Sequence, residues 1–220
     1  MASTGKRTNP YTQIAALHNQ GIDFVFRKLK DKQVYSEDIS FENILEIVSE
    51  YLAKIQNKDS KVDRAGNYAV LANFFNMDRD KIIDEMLVRQ EVPGDVIAYL
   101  NIVRNIPSNA HPEEILKMLS DIERELLDSN FSNDEIKYVL LYIAIAKGSL
   151  KDWQQTAHLQ FPKLQGSDGW PWKEDAESAL QAALIGPVDF FLTGGVLTAV
   201  SVIGGSVVAS SWTAIKNSRN

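Results

Sequence analysis

The chain has 220 residues, 45% hydrophobic and 24% charged, with a formal net charge of -6 and no cysteine. Its apolar and aromatic content excludes a disordered or collagen-like chain. The missing cysteine removes disulfides, thiol catalysis and cysteine-held zinc or iron–sulfur centres, and the acidic balance argues against nucleic-acid binding. The length allows one domain, or two small ones, with a real core.

Residues 1–10 read as a polar, basic arm with no apolar run, so no secretory signal is expected there, and the compartment stays open. From Tyr11 the spacing of Ile14, Leu17, Phe24 and Leu29 predicts an amphipathic helix to about residue 30. A second helix is expected after Ser40, an N-cap residue type, carrying Ile44, Leu45, Val48, Tyr51, Leu52 and Ile55. Residues 65–77 are ambiguous between helix and loop, because Gly66, Asn67, Asn73 and Asn76 interrupt the apolar positions. Helices follow through Ile82, Ile83, Met86 and Leu87, and from about Asp95 to the residues before Pro107. Pro112 suits a first helical position, with Glu113 and Glu114 at the positive end of the helix dipole. Ser132 and Glu135 have the spacing of a capping box ahead of an apolar helix over 136–146.

Pro162, Gly166, Gly169 and Pro171 mark the strongest boundary signal in the chain. After it a helix with alanines at 176, 179, 182 and 183 is expected over 172–184. No stretch alternates with period two, so the fold class is all-α: a multi-helix bundle with a Gly-rich apolar C-terminal helical hairpin. The expected organisation is an arm (1–10), a helical body (11–160), a Pro/Gly loop (161–171), and a C-terminal helix plus Gly-rich apolar segment (172–220).

Residues 190–215 carry no charge, and only Asp189, Lys216 and Arg219 are charged beyond residue 187. The run is long enough to span a hydrocarbon core, and Trp212 with its cationic flank suits an interfacial anchor. Phe190, Gly194, Gly195, Gly204, Gly205 and Trp212 are therefore candidates for contact with a membrane or a partner. The alternative is two short buried helices broken at Gly204-Gly205, since glycine in a helix interior costs roughly 0.5–1 kcal/mol relative to alanine. A third reading has the tail switch between these states.

His18 has no carboxylate or imidazole three or four residues on, His111 adjoins Pro112 and reads as part of a helix start, and His158 follows a Gln-rich stretch, so neither metal nor cofactor is expected. The carboxylate pairs read as solvated helix faces. Nucleophile and phosphate-loop motifs are missing, which argues against an enzyme. Trp153, Trp170 and Trp172 fit either a recognition ledge in a Gly/Pro loop or the edge of a core.

The segment His18-Asn19-Gln20-Gly21-Ile22-Asp23-Phe24 resembles the motif H-N-x-G-L-D-[YF] of a loose group of helical bacterial proteins, mainly from Bacteroidetes and often predicted lipoproteins. Residues 143–153 are similar to that group's second element, an alanine-rich helix followed by Ser and an aromatic pair. Trp172-Lys173-Glu174-Asp175 with the tail is similar to its third, a turn before a Gly/Ala-rich end. This chain departs from the pattern in having no lipobox cysteine and more valine than alanine in the tail. The resemblance implies a helical protein without assigned activity, whose Gly-rich end is similar to bacteriocin-like segments. It also implies that His18, Asn19 and Asp23 hydrogen-bond within the fold and fix the first helix against the tail. The expectation is a non-enzymatic interaction or structural module meeting a protein partner or a membrane surface; the alternative is a membrane-inserting protein that uses 190–215.

Overall fold

A computed structural model of the protein describes residues 7–31, 38–56, 61–76, 78–89, 91–160, 171–185 and 196–219. Among these residues there are nine helices and no strand: α1 (Thr12–Asp31), α2 (Phe41–Ile55), α3 (Lys61–Phe75), α4 (Arg79–Arg89), α5 (Gly94–Arg104), α6 (Pro112–Asp128), α7 (Asn133–Gln160), α8 (Trp172–Ile185) and α9 (Val196–Arg219).

Several starts follow from local chemistry. Ser40 Oγ accepts from the Asn43 N–H at 3.2 Å while Asn43 Oδ1 accepts from the Ser40 N–H at 3.0 Å, a reciprocal cap for α2. At α6, Pro112 opens the helix and His111 Nδ1 accepts from the Glu113 N–H. At α7, Ser132 Oγ accepts from the Glu135 N–H and Glu135 Oε2 accepts from the Ser132 N–H.

Two segments are longer or more regular than their local pattern. The ambiguous stretch becomes α3, because Leu71 and Phe74 are buried in its packing against α2 and α9, and tertiary burial overrides weak propensity. Helix α7 continues past Ala146 and Gly148 to Gln160. Gly148 serves a close approach there: a Cβ on it would lie 2.8 Å from Ala15 Cβ on α1.

The core is built around the C-terminal helices. α9 packs against α1, α2, α3 and α8; α8 packs in addition against α4 and α7; α5 and α6 cover α7. Every residue from 175 to 184 on α8 and from 202 to 211 on α9 is buried. A helix that is apolar on all faces needs such a complete enclosure.

The break expected at Gly204-Gly205 does not occur: α9 runs continuously through it. A Cβ on Gly204 would meet Leu52 Cδ1 at 2.7 Å and Leu71 Cδ2 at 2.9 Å, and one on Gly205 would meet Phe74 Cε1 at 3.1 Å. The two glycines are clearance for α2 and α3 rather than a hinge, and the packing they permit offsets their low helix propensity. Among the described residues, no helix is long and apolar enough to cross a membrane.

Candidate functional site: a buried histidine network

His18 stands at the meeting point of four helices. It occupies the buried face of α1 with Ile14, Gly21, Ile22 and Val25, and it is fully buried. Its Nδ1 lies 2.9 Å from Ser206 Oγ on α9. Its Nε2 lies 3.3 Å from Asp175 Oδ2 on α8, though without the alignment of a hydrogen bond. Ser149 Oγ on α7 donates to the same Asp175 oxygen. Ser149, Asp175 and Ser206 are buried as completely as the ring.

Donor and acceptor roles follow from this geometry. A carboxylate only accepts, so the ring nitrogen facing Asp175 carries the hydrogen. Nδ1 then either accepts from the Ser206 hydroxyl, or donates to it while that hydroxyl donates to Val202 O at 2.9 Å. In both arrangements the contact ties α1 to α8 and, through Ser206, to α9. Buried ionisable groups persist only when partnered in this way.

Acidic charge accumulates at one side of the network. Asp152, one turn beyond Ser149 on α7, is partly buried, and burial pushes its carboxyl up to about 6. The charge of Asp23 adds to that rise, His18 opposes it, and Asp175 adds a further increment. Among the described residues, no three of His, Asp and Glu are arranged to hold a metal ion.

Ser206, His18 and Asp175 superficially match a nucleophile–base–acid series. In that chemistry the serine faces one ring nitrogen and an exposed substrate site, while the acid orients the other. Here the Ser206 hydroxyl is also shared with Val202 O and Ile203 O, and no member of the series is exposed to solvent. The arrangement holds a proton and cross-links helices, and it presents no atom to a substrate.

Of the residues singled out in the sequence, His18 reaches the tail helix directly. Asn19 Nδ2 donates to Gly148 O at 3.1 Å, joining α1 to α7. Asp23 is half-buried and meets the network through its charge on Asp152. Trp153 is buried edge-on against Phe26 of α1, with ring centroids 6.3 Å apart, and Trp172 is fully buried at the start of α8, so neither ring forms an exposed ledge. Trp212 is half-buried and packs edge-on against Phe41 of α2. Trp170, Phe190, Gly194 and Gly195 lie outside the described residues.

Sequence reasoning missed Ser149, Asp152, Asp175 and Ser206 as members of the site. No sequence signal separates them: Asp175 lies among Lys173, Glu174 and Glu177, and Ser206 is one of several hydroxyl residues in the uncharged run. No family model, curated protein or solved structure matches the chain.

Proposed function

We infer that the protein is a non-enzymatic helical interaction module whose apolar C-terminal segment is its internal support, leaving the outer faces of the amphipathic helices to meet a protein partner. The observation that supports this reading most is the unbroken burial of residues 202–211 inside a cage of α1, α2, α3 and α8. An exposed membrane anchor or docking peptide would leave one face uncovered. The sealed His18 network supports a structural role over a catalytic one, since His18, Ser149, Asp175 and Ser206 are all fully buried. Resemblance to the H-N-x-G-L-D-[YF] group adds the expectation of a bacterial source.

A second reading, insertion of 190–215 into a membrane, is supported by the lack of any charge in that run. An apolar helix stored inside a shell of amphipathic ones is what such a protein would need before insertion. Against it stands the absence, among the described residues, of a helix apolar enough to span.

Expression of residues 1–187 beside the full chain, without detergent, separates the two. The interaction-module reading expects a full chain that stays in the supernatant and a truncation that loses its cooperative thermal transition. A truncation that folds, with a full chain that sediments with added anionic vesicles, would establish the insertion reading in its place.

A further inference from the structure

Away from the histidine network, the ends of α4, α5 and α8 enclose a groove of about 360 Å³, lined by Arg79, Asp80, Asn101, Arg104, Lys173 and Glu174 among others. Every described residue that lines it is polar or charged, unlike the mostly apolar pockets that take drug-sized ligands.

Arg104 is held from behind. Its Nε donates to both Glu177 carboxylate oxygens, at 2.9 and 3.2 Å, and buried Glu177 also accepts from the Tyr142 hydroxyl at 3.4 Å. That support fixes the guanidinium through Nε. Among the described residues its two terminal nitrogens meet Asp80 Oδ1 at 3.5 Å and Asp84 Oδ1 at 3.8 Å, both on largely exposed carboxylates and longer than good charge-assisted hydrogen bonds. A planar fork held in this way is suited to a carboxylate.

Arg79 supplies a second, independent sign. Its Nε is shielded from solvent and has no hydrogen-bond partner among the described residues; Asp80 Oδ1 lies 4.0 Å away. On the α8 side Lys173 is occupied, donating to Ile106 O at 3.2 Å. Its neighbour Glu174 has a carboxyl raised by burial in the first place, with the charge of Asp175 adding and Arg79 and Lys173 opposing. The groove therefore sets under-used guanidinium donors beside a partly buried carboxylate.

We propose that the groove between α4, α5 and α8 binds a small zwitterion of the amino-acid class, its carboxylate on Arg79 and Arg104 and its ammonium on Glu174. A lone anion would leave the Glu174 side of the groove without a ligand partner, and a lone cation would leave the two guanidinium groups unfilled. The polar lining favours a ligand with little or no apolar side chain.

Calorimetric titration of the full chain at neutral pH with glycine, L-alanine and glycylglycine tests this, with acetate and methylamine as single-charge controls. Saturable binding of at least one zwitterion is expected, with each control weaker by about tenfold or more. Arg79→Gln and Glu174→Gln avoid the buried Arg104–Glu177 pair and should keep the wild-type circular dichroism while weakening the zwitterion about tenfold. The proposal is overturned by the absence of saturable heat with all three zwitterions, by controls that bind as tightly, or by both folded variants binding as the wild type does.

Discussion

Asp152 shows how a single residue records the state of its surroundings. Its carboxyl is raised from 3.8 to about 6 in the folded chain, chiefly by burial, so between those values the folded form holds a proton that the unfolded form has lost. Linkage then makes stability fall as pH rises through that window, with the full benefit present below the unfolded value and gone above about 6. Asp152→Asn removes the effect. Thermal melts from pH 4 to 8 are expected to show the variant gaining on the wild type as pH rises, and to show it the more stable of the two at pH 7. A constant difference across that range would mean that Asp152 is not held in the partly buried, acid-crowded setting described above. The residue was not legible in the sequence, where Asp152 is only one position in the stretch 143–153. Only the approach of α1, bringing His18 and Asp23 to the same spot, gives it this role.

Element packing makes its own demands at the glycines. Gly21 on α1 lies where a Cβ would come within 2.6 Å of Val207 Cγ2 and 2.8 Å of Tyr51 Cε1. Tyr51 cannot swing away cheaply, because its hydroxyl donates to Leu17 O at 2.6 Å. Gly21→Ala should therefore destabilise by about 1–3 kcal/mol, the usual cost of overpacking, measured by urea unfolding. Gly66 on α3 is the control: nothing lies within 4 Å of its would-be Cβ. There alanine is expected to stabilise by about 0.5–1 kcal/mol through helix propensity alone. If the two substitutions had equal effects, contact between α1, α2 and α9 would not be what Gly21 serves. Helix starts at Ser40, Pro112 and Ser132 were readable because a cap involves neighbours three residues apart. The continuity of α9 was not, since the same glycines that weaken a lone helix are what let α2 and α3 come close.

Taken as a whole, the molecule keeps its least charged helix at its centre. Amides of α9 are bonded within a helix that four others enclose, so they exchange with solvent only when the enclosure opens. Native-state hydrogen exchange is expected to place α9, with the middle of α7 and α8, at the free energy of global unfolding, and to find α4, whose Asp84, Glu85, Val88 and Arg89 are all exposed, opening at lower cost. Exchange of α9 ahead of the rest would instead reveal a partial opening that frees the tail.

By itself, the amino-acid sequence determined the helical class, most helix starts, and the division into a charged body and a neutral C-terminal run, because these depend on spacing and composition within a few turns. Tertiary structure alone decided that residues 202–211 are enclosed within one continuous helix, and that His18 meets Ser206, 188 positions away, as well as Asp175. It also decided that Arg79, Arg104 and Glu174 share a groove. Such meetings are fixed by which apolar faces bury one another, and a polar residue's partner is whatever that burial brings within about 3 Å.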